Sequence, residues 1–312
     1  MLPDGAMLRS VSGTALLKRE IMKTFTLALL GMFSATTVVA TEINESMDAA
    51  TDGTVSISNI SGSVEVQGWS RNQVEITGDL GSDVEELFFQ RDGDEIEIKV
   101  KSSRGNSRDI ESDLVVKVPL ASSLEVNTVS ADIDVAGLTG EQSLESVSGD
   151  IATEAFASDI EVNSVSGDLE VEGDDQAMRS MLSSVSGDID TENLAGEIGV
   201  ESVSGDLVVV NGVFDRVSMD TVNGDIVFHA QLLNDGRLDV ETINGDVDIK
   251  FAGEVSARFD IETFNGDIRN CFGPKAVRVS KYGPGYELKF TEGGGSGRVT
   301  IETLNGDLRL CK

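Results

Sequence analysis

Ser146-Val147-Ser148-Gly149-Asp150-Ile151 returns as Ser164-Val165-Ser166-Gly167-Asp168-Leu169, as Ser184-Val185-Ser186-Gly187-Asp188-Ile189 and as Ser202-Val203-Ser204-Gly205-Asp206-Leu207. With Asn before the Gly it returns again at Asp225, Asp246, Asp267 and Asp307. The steps between successive motif Asp residues are 18, 20, 18, 19, 21, 21 and 40 residues. Ser130-Ala131-Asp132 is a weaker copy, and Ser61-Gly62-Ser63 a degenerate one. A near-fixed period of this length marks one structural unit written many times.

Each copy carries the same apolar spacing of +2, +3, +4, +2. Examples are Ile160, Val162, Val165, Leu169, Val171 and Val299, Ile301, Leu304, Leu308, Leu310. The +2 steps are strand alternation on one face, and the +3 and +4 steps span a bend at Ser/Asn-Gly-Asp. A unit therefore reads strand, corner, strand, short return. Antiparallel hairpins using the Gly as a turn residue compete with a parallel stack. The period favours an all-β parallel β-solenoid (β-helix) with rungs of 18–21 residues, in which equivalent residues align in columns about 4.8 Å apart. Glycine is expected to supply a positive φ at each corner.

The flanks differ from the repeats. Residues 41–120 read as a β-rich N-terminal cap region, with Asp92-Gly93 as a hairpin signal. Residues 121–270 form the repeat region, and 271–312 a C-terminal cap and last rung. The long last step contains an insertion between Cys271 and Arg298, readable as a degenerate rung or a hairpin cap. Residues 22–40 have a basic start, an apolar run from Phe25 to Phe33 and a small-residue end at Ala40. That is the layout of a cleaved secretory leader, short for a membrane span. Residues 1–21 read as an upstream extension. After cleavage the chain is not expected to be an integral membrane protein, and its compartment is expected to be periplasmic or extracellular.

The 312-residue chain has 55 acidic and 24 basic residues, a net charge of −31. Without residues 1–40, 53 acidic and 20 basic residues remain, a net −33. Such a surface argues against nucleic-acid partners, which require clustered Lys and Arg. A single His and two Cys leave little material for His-based catalysis or a zinc site. Residues 271–312 are the exception in charge, with seven basic and four acidic residues.

Alignment of the units creates candidate site columns. The first is Asp132, Asp150, Asp168, Asp188, Asp206, Asp225, Asp246, Asp267 and Asp307. Beside it run a Ser/Asn column ending in Asn305 and an acidic or polar column that includes Glu145, Glu201, Asp220, Glu241, Glu262 and Glu302. Carboxylates about 4.8 Å apart repel by roughly 0.9 kcal/mol per pair in a water-like medium, so something must offset them. Either each Asp accepts backbone N–H groups at its own corner, or Ca²⁺ bridges the column. Cofactor expectation is otherwise none. Cys271 and Cys311 each lie four residues after a motif Asp, hence in one column. In an oxidising compartment they are expected to form a disulfide, which requires adjacent rungs and makes the insertion a cap. Lone His229 reads as an ordinary edge residue. Arg269 and Arg309 recur because the rung recurs, so no unique acid–base cluster stands out.

The stretch Val55-Ser-Ile-Ser-Asn-Ile-Ser-Gly-Ser-Val-Glu-Val, the pair Gly68-Trp69, the Ser-Val-Ser-Gly-Asp units and Thr263-Phe-Asn-Gly-Asp-Ile-Arg resemble a bacterial family of exported β-strand-repeat proteins of unknown function, described as candidate adhesins. The resemblance covers about residues 50–310 and implies a β-solenoid exported to the envelope, with no catalytic residues to transfer. The reading is a non-enzymatic, adhesin-like binding or scaffold module at the bacterial envelope, with an envelope or cell-surface protein or polysaccharide as partner. A carbohydrate-active enzyme of β-helix type and a calcium-stabilised structural protein are the alternatives.

Overall fold

A computed structural model describes residues 41–102, 109–281 and 283–312. The leader and upstream extension expected over 1–40 lie outside the described residues, as does Tyr282 of the insertion. The fold is all-β, with 23 strands joined in one hydrogen-bonded system and no helix among the described residues. Pairing is mixed: the repeats pair in parallel, whereas both flanks add antiparallel strands.

The repeats stack in register. Ile160–Ser164 pairs in parallel with Gln142–Ser146 on one side and with residues 180–184 on the other. Leu169–Gly173 sits in the same way between Ile151–Ala155 and Ile189–Glu192. Within each strand, alternate side chains enter one core dominated by Val, Ile and Leu. Four returns carry a non-glycine residue with positive φ: Ala157, Asp175, Asn193 and Asn211. Asn and Asp tolerate that conformation better than most residues. Towards the C-terminal end the core becomes aromatic. Phe251 meets Phe259 edge-on at 6.0 Å, and Phe259 stacks on Phe290 at 4.4 Å.

At both ends the chain order departs from the stacking order. The unit Thr54–Trp69 lies between Ser123–Ala136 and the pair Glu95–Ser102 and Ser112–Pro119. At the other end Gly297–Asn305 lies between residues 237–244 and Ala257–Asn265, and Leu308–Cys311 between Val247–Phe251 and Ile268–Asn270. The expectation that each unit stacks on its predecessor fails here. The last rung is inserted one position in from the end, and the first rung likewise.

Antiparallel strands cover the outermost rungs. Thr41–Asp48 pairs with Gln73–Leu80, which pairs with Ser112–Pro119, and Val84–Asp92 pairs with Glu95–Ser102. At the far end Tyr286–Thr291 runs antiparallel along Ala257–Asn265 and carries the short strand Val277–Arg278. The insertion thus places a hairpin on the outermost rung, 257–270. This arrangement occupies backbone groups that an open parallel edge would present. Cys271 and Cys311 are joined, with Cα atoms 4.9 Å apart, because rungs 257–270 and 297–311 are direct neighbours.

The corner glycines serve a different purpose from the one expected. Gly149, Gly167, Gly187, Gly205, Gly224 and Gly245 have no positive φ. A Cβ on Gly224 would instead fall far inside van der Waals contact with the carbonyl oxygen of Gly205, and the same holds along the column. Glycine is required by the close approach of one corner to the next.

Two outcomes follow from this packing. Gly224→Ala should lower the folding free energy by roughly 1–3 kcal/mol or more, measured by chemical denaturation, whereas Gly294→Ala, beside which only the Ser256 hydroxyl approaches, should change it little. Cys271→Ser with Cys311→Ser should lower thermal stability by at most about 4 kcal/mol, the loop-entropy value for a closure of this length.

Candidate functional site

The corner is built from five consecutive positions, and strand alternation decides where each points. In the unit ending at Asp168, Ile160, Val162 and Ser164 face inward, and Val165 faces outward. The column four residues before the Asp is buried and hydroxylic: Thr128, Ser146, Ser164, Ser184, Ser202, Thr221, Thr242, Thr263 and Thr303. Four of these hydroxyls, those of Thr128, Ser146, Thr221 and Thr263, bond corner backbone groups, and those of Ser164, Ser184, Ser202, Thr242 and Thr303 bond none among the described residues. Ser146 Oγ accepts the Gly149 N–H at 2.8 Å, and Thr128 Oγ1 donates to the Ala131 carbonyl at 3.0 Å.

The motif Asp residues form a ladder. The N–H of Asp150 donates to Asp132 Oδ1 at 3.1 Å, that of Asp168 to Asp150 at 3.0 Å and that of Asp188 to Asp168 at 2.9 Å. The ladder continues through Asp206, Asp225, Asp246, Asp307 and Asp267 at 2.7–2.9 Å. Each carboxylate except that of Asp267, which ends the ladder, therefore accepts the N–H of the next rung rather than one at its own corner. A hydrogen bond to a charged group contributes about 1.5–3 kcal/mol, against roughly 0.9 kcal/mol of repulsion between exposed neighbours. The backbone thus offsets the column's charge. One oxygen of each such Asp is committed this way, which leaves a poor ligand set for Ca²⁺, an ion that takes six to eight oxygens. Beside the Asp ladder, Asn223, Asn244, Asn305 and Asn265 join side chain to side chain at 2.8–2.9 Å.

Three residues before each Asp stands an apolar side chain in solvent: Val129, Val147, Val165, Val185, Val203, Val222, Ile243, Leu304 and Phe264, each 37–52% exposed. Val165, Ile243 and Leu304 belong to the repeating apolar pattern, yet they lie outside the core. Next to this apolar column runs the acidic one, with Glu201, Asp220, Glu241, Glu302 and Glu262 on successive rungs. The two columns border a groove of about 740 Å³ whose far end is closed by Val279, Pro284 and Tyr286 of the hairpin.

The acidic column is electrostatically loaded. Burial, reinforced by Glu241, Glu262 and Asp260, pushes the Glu302 carboxyl above its ordinary value. Burial also raises Asp220, with Ser218 opposing and Asp239 adding to the effect. On the strand after the corner, Asp190 is raised by burial and then by Asp188, Glu170, Asp168 and Asp206. At the outermost C-terminal rung Asp260, Glu262 and Glu287 converge, and they form the one such trio among the described residues close enough to share a cation. Lys289 fills that position, at 3.2 Å from Asp260, 3.2 Å from Glu262 and 2.6 Å from Glu287. These three hydrogen bonds raise the Lys289 pKa.

The remaining candidates sit at the C-terminal end. His229 Nε2 lies 3.5 Å from Asp248, a carboxylate that Arg309 also approaches at 3.5 Å. Arg269 reaches the second oxygen of Asp307 at 3.4 Å. These are pairings between neighbouring rungs: Arg269 is bonded to Asp307 of the ladder, whereas His229, Asp248 and Arg309 line a separate pocket that contains no ladder Asp.

The match to a known family spans residues 53–310 and is to the one described as Toastrack DUF4097. The chain belongs to the Toastrack DUF4097 family. No curated protein matches it. Among solved structures, a candidate adhesin from Parabacteroides distasonis ATCC 8503 is 11% identical, covering 88% of this chain and 98% of its own, with a TM-score of 0.46. A candidate adhesin from Parabacteroides merdae ATCC 43184 is 10% identical over 69% of this chain and 90% of its own, TM-score 0.45. A candidate lipid binding protein from Parabacteroides distasonis ATCC 8503 is 12% identical over 86% and 96%, TM-score 0.45. At these values the likenesses carry no conclusion about ligands of this Toastrack chain.

The raised carboxyls set a sign for the pH dependence. A carboxyl whose folded pKa is raised binds more protons in the native state, so it destabilises at neutral pH. That penalty is relieved as pH falls through the raised value, and fully so below the ordinary values of 3.8 for Asp and 4.5 for Glu. The contribution of these groups to the thermal midpoint should therefore rise as pH is lowered from neutral towards about 4, the ordinary carboxyl range. The variant carrying Asp190→Asn, Asp220→Asn and Glu302→Gln should have a higher midpoint at neutral pH and a flatter profile, read by calorimetry across that range.

Proposed function

We propose that the chain is an exported, non-enzymatic, adhesin-like scaffold of the bacterial envelope, in which rungs from 54 to 311 wind as a β-solenoid that presents a repeated binding face. On this reading residues 22–40 are the export leader, 41–120 and 271–312 are the capped ends, and 121–270 is the repeat body. The partner class is an envelope or cell-surface protein or polysaccharide.

One observation carries the reading. Each chemically capable side chain of the corner recurs at the same place on successive rungs: the Asp ladder, the Asn ladder, the acidic column and the exposed apolar column. A catalytic site needs residues in distinct roles at one place. A repeated face offers the same contacts many times, which suits an extended ligand and gains strength by multivalency. Among the described residues no helix is long and apolar enough to cross a membrane.

The Asp ladder enters this proposal as a structural element rather than a metal site, since its carboxylates already hold backbone N–H groups. The test is retention of purified residues 41–312 on immobilised bacterial envelope fractions, with and without Ca²⁺. Retention that persists in chelator and weakens in the Val203→Asp, Ile243→Asp variant is expected. Absence of retention under all conditions would remove the binding role. Retention or a thermal midpoint that depends on submillimolar Ca²⁺ would reinstate the metal reading.

A further inference from the structure

We propose that the groove beside the exposed apolar column binds a cationic amphipathic polypeptide laid lengthwise along the rungs. This rests on the binding-scaffold reading and names its partner chemistry.

The apolar wall consists of Val185, Val203, Val222, Ile243, Leu304 and Phe264, on successive rungs in that spatial order. All are large hydrophobics left in solvent. Isolated exposed apolar residues are ordinary on any surface, but a contiguous line of them bordering a groove marks an interaction site. Six rungs give a wall about 24 Å long at the usual strand spacing.

The opposite wall decides what kind of partner fits. Glu201, Asp220, Glu241 and Glu302 stand on four of the same rungs, and among the described residues no Lys or Arg forms a salt bridge with any of them. Burial raises two of these carboxyls, with Asp239 adding to the effect at half-buried Asp220 and Glu241, Glu262 and Asp260 at the more exposed Glu302. A neighbouring ammonium or guanidinium would relieve both. The same wall, on a chain carrying −36 over residues 41–270, opposes anionic lipid surfaces and nucleic acids.

The chain contains its own example of the fit. On the rung where the hairpin closes the groove, Lys289 lies among Asp260, Glu262 and Glu287. From the same hairpin Val279 and Tyr286 line the groove with Phe264. One segment thus brings a cation to the acidic column and apolar groups to the apolar column. A partner that continues this pattern needs one apolar and one basic residue per rung. An amphipathic helix meets that demand, because its pitch of about 5.4 Å is close to the rung spacing of about 4.8 Å. About 16 residues of helix span the wall.

The experiment titrates residues 41–312 with a fluorescent 18-residue Leu/Lys amphipathic peptide, read by anisotropy at low and physiological salt. Controls are a scrambled peptide of equal charge without an apolar face, and a Leu/Glu peptide. Variants are Val203→Thr with Val222→Thr, which keeps β-branched residues, and Glu201→Gln with Glu241→Gln and Glu302→Gln, each checked for an unchanged circular dichroism spectrum. The expected result is at least tenfold weaker binding for either variant and for the scrambled peptide, no binding of the Leu/Glu peptide, and a shallower salt dependence in the Gln variant. Equal binding of the scrambled peptide, or binding unaffected by the Thr variant, would reduce the effect to general attraction between polyions and overturn the proposal. Concentration-dependent dimerisation abolished by the Thr variant, or binding to zwitterionic vesicles without peptide binding, would overturn it in favour of another occupant. Failure with the peptide alongside intact envelope retention sinks this inference alone, whereas loss of envelope retention with peptide binding intact sinks the scaffold reading.

Discussion

The close approach of corner to corner is the constraint on which the rest depends. Each motif glycine lies so near the carbonyl of the neighbouring corner, Ala131 for Gly149 and a glycine for the others, that a Cβ there would clash. That approach brings the next N–H within 2.7–3.1 Å of the Asp carboxylate beneath it. It also keeps parallel strands on both sides of the corner in register, so inward positions stack on inward positions from rung to rung. A bulkier corner would spread the rungs, lengthen the Asp bonds and leave a column of charges with nothing to offset it. Four of the Ser/Thr hydroxyls beneath the corner, those of Thr128, Ser146, Thr221 and Thr263, serve the same end by bonding corner backbone groups.

Both ends solve one problem in the same way. A parallel stack leaves unpaired backbone groups on its outermost rung. Here the chain places an internal segment outermost and tucks Thr54–Trp69 and residues 297–311 one rung inside. Antiparallel strands then lie on the outer rungs. Rungs near the chain ends therefore have neighbours on both sides. The disulfide between Cys271 and Cys311 ties the outermost C-terminal rung to the inserted one, and Phe290 docks the covering hairpin on the aromatic core through Phe259.

Much of this is legible in the sequence, and the gaps have physical reasons. The period of 18–21 residues and the shared column of Cys271 and Cys311 are visible directly. The outward direction of Val165 is also available: Ile160, Val162 and Ser164 share one parity and Val165 has the other. Its apolar character does not by itself mean burial, because a β-branched residue serves an exposed strand as well. The rung order at the ends is not legible, because every unit presents the same apolar columns to its neighbours and sequence similarity cannot say which unit lies next to which. The role of the corner glycines is hidden for a related reason. Glycine is compatible with positive φ and with close packing, and only the position of the neighbouring carbonyl distinguishes the two.

The treatment of the ends sharpens the meaning of the open apolar column. Its two structural hazards, a sheet edge and a solvent-exposed line of Val, Ile, Leu and Phe, both invite association. The chain spends two insertions, several antiparallel strands and a disulfide on the first. Among the described residues nothing covers the second over most of its length, and the hairpin reaches only its C-terminal rungs. An exposed Thr would keep the strand propensity of Val without the apolar surface, and Thr already occupies the buried position next to it in five units. The apolar side chains are thus not demanded by the strand or by the core. Like-charged acidic residues alongside them keep copies of the chain apart while leaving the surface open to a partner of opposite charge. A face that repels its own kind and remains apolar has the physical character of a selective binding surface, and this is what separates it from an unprotected edge.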